Sequence, residues 1–184
     1  MLYFITGNKN KFEEVAAILP KVEQIDIDLP EIQEIDPHEI IKVKLAEAFK
    51  HTSGEFIVED TSLYLDCLNG LPGPLIKWFL KTMGNKGLAD IAEKFGNDKA
   101  QAKTMIGYAA DKDDIHFFEG VVKGKIVQPQ AVSVFGWDPI FLPNGHTKTF
   151  AEMDKSEKNE ISMRRVALNK LSEFLKSKGV KDAL

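Results

Sequence analysis

Two asparagines and two lysines occupy the four positions after Gly7 in the segment FITGNKNK, residues 4–11. An apolar run precedes Gly7, and apolar residues then recur from Phe12 to Leu19 at the spacing of an amphipathic helix. The polar segment is therefore predicted to be a turn between a strand and a helix. Such a turn exposes unpaired backbone N–H groups at the positive end of the helix dipole, where anions bind readily. The chemistry predicted by these residues is phosphate binding, and the alternative is a solvated turn with a capping asparagine.

Side chains in the same turn support the interpretation as a phosphate site. Thr6 and Asn8 add hydrogen-bonding groups, and Lys11 places a full positive charge in the first helical turn. A cation at that position is unfavourable by roughly a few tenths of a kcal/mol unless an anion lies nearby. The segment is not a Walker loop, because it lacks GK[ST], and it is not a dinucleotide fingerprint, because it lacks GxGxxG.

A pair of adjacent acids in the segment VEDTS, residues 58–62, is the second candidate site. Glu59 and Asp60 follow a β-prone run, so the strand is expected to end at these acids. Neighbouring residues on a strand point to opposite faces, so at most one of the two is expected to reach a cleft beyond the strand ends. We assign that role to Asp60, nearer to the strand end, as a ligand for a hard cation such as Mg²⁺. The alternative is an exposed strand terminus with solvated acids.

Aromatic residues flank a glycine in the segment SVFGWDPIF, residues 133–141. Phe135 and Trp137, on either side of Gly136, would offer a flat surface to a nucleobase, at roughly 1–3 kcal/mol per stacked base. The alternative is packing of the aromatic rings in the protein core.

A group of cations lies in the segment EKNEISMRR, residues 157–165, near the start of the last predicted helix. Lys158, Arg164 and Arg165 would add positive charge to a site for a phosphorylated ligand. A solvated charged face is the commoner role for such residues and remains the alternative.

The predicted elements place these segments in an α/β fold. Asp36, followed by Pro37 and Glu39, is expected to begin the second helix through a capping box. Strands are predicted at residues 2–6, 22–29, 56–60, 101–110 and 115–127. Helices are predicted at residues 12–19, 36–54, 74–84, 87–95 and 161–175. This order of elements, with a hairpin formed by the last two strands, favours a mixed sheet.

Composition limits the classes of function that fit the chain. Its 184 residues are expected to form one domain, residues 1–184, and the net charge of −4 argues against a nucleic-acid partner, which needs a broad basic surface. No apolar run approaches the roughly 20 residues of a membrane span, so no membrane association is expected. Met1 leads into LYFIT without a visible export signal, and we therefore expect a cytoplasmic protein. Cys67 is the only cysteine and the four histidines show no ligand spacing, so neither a disulfide nor a His-based metal site is predicted.

The order of these motifs resembles the inosine triphosphate pyrophosphatase family, whose members hydrolyse non-canonical purine nucleoside triphosphates. The matching segments are FITGNKNKFEEV, LPE, VEDTSLYLDCLNGLPGPLIKWF, FGWDPIF, TFAEM and EKNEIS. They cover nearly the whole chain, and GLPGPLIKWF is similar to the eukaryotic-type branch of the family.

The resemblance implies a two-lobed α/β fold, with a long central mixed sheet flanked by helices, a cleft between the lobes, and assembly into a homodimer. The implied reaction cuts ITP, dITP or XTP between the α and β phosphates and releases the nucleoside monophosphate and pyrophosphate. Mg²⁺, or Mn²⁺ in its place, is the expected cofactor.

The resemblance also implies roles for individual residues. Asp60 and Lys11 are the expected catalytic residues, and Glu31 and Asp60 are expected to bind the metal or the water that it activates. Whether Asp60 is a base, a metal ligand or both stays open. The expected substrate contacts are Thr6, Gly7, Asn8, Lys9, Asn10, Lys11, Lys44, Asp60, Thr61, Lys77, Phe135, Gly136, Trp137, Asp138, Lys158, Met163 and Arg164.

The chain departs from the family pattern at Met163. The usual Ser-His-Arg reads Ser162, Met163, Arg164, so a thioether replaces a histidine expected to touch the base. A guanidinium has only donors, so Arg164 is expected to bond the C6 oxygen of hypoxanthine or xanthine and to face the adenine amino group unpaired, at a cost of ~1–3 kcal/mol. The hypothesis is that Arg164 alone keeps the preference for 6-keto purines with a smaller margin over ATP and GTP. The alternative is that Arg165 or a neighbouring side chain compensates.

Two other functions fit parts of the pattern. A related pyrophosphatase with altered base preference, similar to the septum-formation-inhibitor pyrophosphatases, would share the fold and the reaction. A non-catalytic nucleotide sensor would keep the lysines and the aromatic residues but would not need Glu31 or Asp60. Both acids are present, which favours an enzyme.

Overall fold

A mixed β-sheet is the central feature of the protein in the computed structural model, which describes residues 1–131 and 136–179. Over these residues the strands are β1 (Leu2–Ile5), β2 (Glu23–Ile25), β3 (Glu55–Leu65), β4 (Pro72–Gly73), β5 (Lys99–Ala109), β6 (Ile115–Ile126) and β7 (Phe141–Pro143). Their order is β2-β1-β3-β5-β6-β7, and β4 pairs with β3 outside this path. Strand β1 is parallel to both β2 and β3, whereas β4 is antiparallel to β3 and β7 is antiparallel to β6.

Helices complete the mixed α/β fold that the sequence predicts. They are α1 (Lys9–Ala16), α2 (Pro37–His51), α3 (Ile76–Phe95), α4 (Lys155–Ile161) and α5 (Met163–Ser177), with short 3₁₀ helices at Asp66–Leu68 and Asp138–Ile140. None of the helices among the described residues is both long and apolar enough to cross a membrane. The α/β class and the mixed sheet are confirmed, and the single domain over residues 1–184 stays a prediction.

The chain divides into two compact units. The first comprises residues 1–60, residues 104–120 and the last segment from Arg164 onward, and the second comprises residues 61–103 and 121–163. In the first unit, successive strand residues belong to different hydrophobic clusters. Phe4 and Ile57 pack in a cluster with residues of α1 and α5. Their neighbours Ile5 and Val58 pack in a second cluster with residues of α2. Because successive strand residues point to opposite faces, this part of the sheet is covered on both sides.

The second unit has its own hydrophobic core. Trp137, Phe141 and Phe150 lie in this core with residues of β3, β5 and α3. Met163 packs in the same cluster and is 2% exposed. The segment that carries the predicted base-binding residues is therefore anchored by buried aromatic rings.

Several predicted boundaries are wrong. Strand β3 does not end at Glu59 and Asp60 but continues to Leu65, because the run after the acids keeps a β-prone, partly alternating pattern with buried Leu63 and Leu65. Strand β2 is shorter than predicted, spanning Glu23–Ile25. The last predicted helix begins at Met163 and not at Ile161, because Ser162 is extended and separates it from α4, a short helix that the sequence did not predict.

Two predicted helix features are partly confirmed. Asp36 is the N-cap of α2, but its side chain accepts a hydrogen bond from the backbone N–H of His38, and its own N–H donates to Glu34 instead of completing a capping box with Glu39. The two helices predicted at 74–84 and 87–95 are one element, α3, interrupted at Gly84 by non-helical backbone angles.

Candidate active site

The turn between β1 and α1 carries the first predicted site. Asn8 is the N-cap of α1: its side-chain oxygen accepts from the Lys11 N–H at 3.2 Å, and its own N–H donates to the Thr6 hydroxyl at 3.1 Å. The Gln24 side chain donates to the Thr6 carbonyl at 2.7 Å, which ties the turn to β2. The capping role of Asn8 is therefore confirmed. Gly7, Asn8, Lys9 and Asn10 are exposed, and phosphate binding by this turn stays a prediction.

A carboxylate that sequence reasoning missed lies against this turn. A Cβ atom built on Gly7 would lie only 2.9 Å from Asp26 Oδ1, so a side chain at position 7 would require the carboxylate to move. Asp26 follows β2, whose backbone pairs with β1. Its proximity depends on strand pairing and has no signal in the local sequence.

Glu59 is the centre of a buried ion-pair network. Lys11 Nζ lies 2.8 Å from Glu59 Oε1, and Arg164 donates to both Glu59 oxygens, from Nε at 2.8 Å and from Nη2 at 3.0 Å. Arg164 Nη1 also donates to Glu14 Oε2 at 2.6 Å. The network joins α1, the middle of β3 and the start of α5. It explains how a strand can carry two adjacent acids in its interior, because buried charges are tolerated when they are paired and hydrogen-bonded.

Ionisation in the network follows from this pairing. Burial by itself raises the pKa of the Glu59 carboxyl, but the charges and hydrogen bonds of Arg164 and Lys11 outweigh burial and hold that pKa well below its ordinary value of 4.5. Burial lowers the pKa of Arg164, yet the contacts with Glu59 and Glu14 outweigh it and raise that pKa above its ordinary value. Both side chains are therefore charged at neutral pH.

Asp60 and Lys44 lie beside this network. Asp60 Oδ1 is 3.6 Å from Lys44 Nζ, and Lys44 Nζ also donates to the Glu59 carbonyl at 3.0 Å. The Asp60 side chain is 16% exposed, compared with 4% for Glu59. Asp60 is thus the more accessible of the two adjacent acids, although both lie inside a strand and not at its end.

The metal-binding prediction concerns Glu31 and Asp60. Glu31 is exposed in the segment between β2 and α2. Within the described part of the chain, no group of three or more His, Cys, Asp or Glu side chains could hold a metal ion. The role of these two acids as metal ligands stays a prediction.

The second unit contains the predicted base-binding residues. Trp137 is 2% exposed, and its ring lies 5.6 Å from that of Phe141 in an edge-to-face contact, so the ring packs in the core. Lys158 forms a short ion pair with Asp138, and its ammonium group lies 5.4 Å from the centre of the Phe150 ring. Phe135 falls outside the described residues. Stacking of a base on Trp137 stays a prediction.

The remaining predicted contacts are dispersed. Thr61 continues β3 after Asp60, and Lys77 is exposed in the first turn of α3. The structure brings four predicted residues of the first unit into one connected group around Glu59: Lys11, Lys44, Asp60 and Arg164.

Sequence reasoning missed Glu59 and Glu14 as members of this group. No local pattern marks these partners: a buried arginine requires carboxylate partners, but the fold decides that Arg164 is buried. The resemblance predicts that Arg164 contacts the ligand, whereas the structure shows it as a buried cation held by Glu59 and Glu14.

Comparison with known proteins places the chain in a family. The model described as the Ham1 family matches residues 2–174. The inosine triphosphate pyrophosphatase of Schizosaccharomyces pombe is 42% identical over 180 residues, which cover 96% of this chain and 95% of the relative. That of Saccharomyces cerevisiae is 41% identical over 189 residues, covering 95% of both chains. The solved structure of the Staphylococcus aureus Ham1 protein is similar to this one with a TM-score of 0.81 at 27% identity, covering 97% of this chain and 100% of that one. With a family match over almost its entire length and a matching solved fold, the chain belongs to the Ham1 family.

Proposed function

We propose that this protein hydrolyses non-canonical purine nucleoside triphosphates, such as ITP, dITP and XTP, to the nucleoside monophosphate and pyrophosphate. The observation that carries the proposal is the connected group in the first unit, where Lys11 pairs with the buried Glu59 carboxylate, and Lys44 bonds the Glu59 carbonyl and pairs with the more accessible Asp60. The S. pombe and S. cerevisiae relatives, both inosine triphosphate pyrophosphatases, support the same reaction.

The phosphate chain would bind at the turn before α1. The exposed backbone of Gly7 and Asn8 and the ammonium group of Lys11 supply the donors and the positive charge. Two unit charges 4 Å apart attract by about 1 kcal/mol in water and by roughly 4 kcal/mol at an effective dielectric constant near 20. The half-buried positions of Lys11 and Lys44 therefore strengthen their attraction for a triphosphate.

Asp60 and Glu31 are the residues that would hold Mg²⁺. Mg²⁺ usually takes one or two carboxylates from the protein, and waters and phosphate oxygens supply its other ligands. The described residues contain no larger acidic cluster, so two acids fit an ion that binds together with the nucleotide phosphates. When bound, Mg²⁺ offsets negative charge on the phosphates and lowers the pKa of a bound water. Asp60 would orient the attacking water and accept its proton, with Lys44 beside it to balance the carboxylate charge.

Preference for 6-keto purines would come from donors near the base. Three N–H groups of the Arg164 guanidinium bond Glu14 and Glu59, which holds the guanidinium plane in place. We propose that the guanidinium N–H groups that do not bond Glu14 or Glu59 donate to the C6 oxygen of the base. The adenine amino group would leave these N–H groups unpaired.

The homodimer and the cytoplasmic location also stay predictions.

The proposal is tested by a pyrophosphate-release assay with ITP, dITP, XTP, GTP and ATP, with and without Mg²⁺. We expect turnover that requires the metal and favours ITP, dITP and XTP. Equal turnover of all five triphosphates would refute the base preference. Binding of ITP without any pyrophosphate release in the presence of Mg²⁺ would instead identify a nucleotide sensor.

Replacement of Met163 by histidine is expected to widen the selectivity. Met163 is buried and has no hydrogen-bond donor, so histidine would supply a donor at the position next to Arg164 in the chain. We expect the ratio of kcat/KM for ITP over ATP to rise by roughly 5- to 10-fold, the value of one additional hydrogen bond. Met163→Leu is the matched control, because it keeps an apolar side chain of similar volume and should leave the ratio unchanged. A Met163→His ratio equal to that of wild type would refute the hypothesis that Arg164 alone keeps a narrowed base preference.

A further inference from the structure

A hydrogen bond in the second unit joins helix α3 to the proposed base-binding segment. The Asn85 side-chain nitrogen donates to the Gly136 carbonyl at 2.8 Å, although the two residues are 51 positions apart. Gly136 directly precedes Trp137 and Asp138, which the family resemblance implies as substrate contacts. The same helix packs closely on this segment, since a Cβ atom built on Gly136 would lie 2.9 Å from Leu80 Cδ1.

The backbone before Asn85 adopts a rare conformation. Gly84 has φ 67° and ψ −177°, a region that is essentially restricted to glycine, and it interrupts α3 there. A Cβ atom on Gly84 would meet no atom within 4 Å, so the glycine is required by its backbone angles and not by lack of space. Because of this interruption, Asn85 does not continue the helix that precedes Gly84.

The Asn85 amide is only partly satisfied by this contact. Its side-chain oxygen is buried and has no hydrogen-bond partner among the described residues. A rare backbone conformation and an unsatisfied buried acceptor are both unfavourable for stability, and such features cluster at functional sites. In exchange, the Asn85 side chain gains its hydrogen bond to the Gly136 carbonyl.

We propose that Asn85 is a positioning residue for recognition of the purine nucleoside, acting by holding Gly136 and, through it, Trp137 and Asp138. This inference rests on the proposed function and on the expectation that Trp137 and Asp138 contact the nucleoside part of the substrate. Asn85 is proposed to act through the Gly136 carbonyl, and no contact with the phosphates is proposed for it. Its loss should therefore weaken binding of the nucleoside part of the substrate selectively.

The test compares Asn85→Leu with wild type, using ITP as substrate and inorganic tripolyphosphate as a competitive inhibitor that lacks a nucleoside. Leucine is uncharged and similar in shape to asparagine but cannot donate to Gly136. We expect the KM for ITP to rise by roughly 5- to 10-fold, the kcat to stay within about 2-fold, and the inhibition constant for tripolyphosphate to stay unchanged. The Tm should equal or exceed that of wild type, because leucine removes the unsatisfied oxygen and has the better helix propensity.

Lys86→Ala is the control, because Lys86 is the next residue, is exposed and pairs with Asp90 on the same helix. Asn85→Ala is the second variant should leucine pack poorly, and it should show the same selective rise in KM. An unchanged KM for ITP would overturn the proposal, as would an equal rise in the KM and in the tripolyphosphate constant together with a lower Tm. Absence of turnover in the wild type would instead refute the proposed function, and calorimetric titration with ITP would then still compare the affinities of the variants.

Discussion

The substitution Asp60→Asn is expected to lower the rate of pyrophosphate release by roughly 10²- to 10⁴-fold, the usual contribution of a positioned general base. Asparagine has nearly the same size and keeps one oxygen, but it cannot accept a proton or supply a carboxylate to the metal. Lys11 and the turn at Gly7 and Asn8 are unchanged in this variant, so nucleotide binding should remain detectable. The measurement is kcat for ITP with saturating Mg²⁺, together with the affinity for ITP from calorimetry.

Asp66→Asn is the matched control for this substitution. Asp66 is an exposed carboxylate immediately after β3, the strand that carries Asp60, and no role in the site is proposed for it. Its replacement should leave kcat unchanged. Full turnover by the Asp60 variant would remove this residue from the mechanism. Loss of both turnover and ITP binding would assign it to substrate binding instead.

The second large effect concerns stability, because Arg164→Ala would leave Glu59 and Glu14 without their guanidinium partner. Removing one member of a buried ion pair costs roughly 3–5 kcal/mol, since the remaining charge stays in a medium that solvates it poorly. Lys11 still lies 2.8 Å from Glu59 and should keep the loss toward the lower end of this range. The free energy of unfolding from urea titration at pH 7 measures the effect. Arg165→Ala, one residue further on the same helix and exposed, should change it by less than about 0.5 kcal/mol.

The same network predicts the pH dependence of stability. Because the pKa of Glu59 is lower in the folded chain than its ordinary value of 4.5, its contribution is fully present above about pH 4.5 and is lost as the pH falls further. Wild type should therefore lose stability between about pH 5 and pH 3, and Glu59→Gln should show a shallower loss over that interval. Urea titrations at pH 7, 5 and 3.5 provide the comparison. Parallel pH profiles for the two proteins would show that Glu59 is not a principal source of the acid sensitivity.

Local sequence patterns determined most of the secondary structure. The helical spacing after Gly7, the proline and acid that follow Asp36, and the β-prone runs of β5 and β6 each predicted an element that the structure contains. These patterns act over a few residues, through backbone hydrogen bonding, capping and the burial of one face, so they can be identified without knowledge of the fold. Family resemblance in the motifs then added the site residues.

Tertiary structure alone decided how the charges are paired. Arg164 bonds Glu59 and Glu14, which lie 105 and 150 positions away in the chain, and no local pattern specifies such partners. The continuation of β3 through two adjacent acids depends on the same long-range pairing, because an unpaired charge inside a strand would be strongly unfavourable there. Burial of Trp137 among Phe141 and Phe150 is likewise a consequence of packing and not of the residue type. The sequence thus predicted which residues carry the chemistry, whereas the fold determined which of them are accessible and which are held in ion pairs.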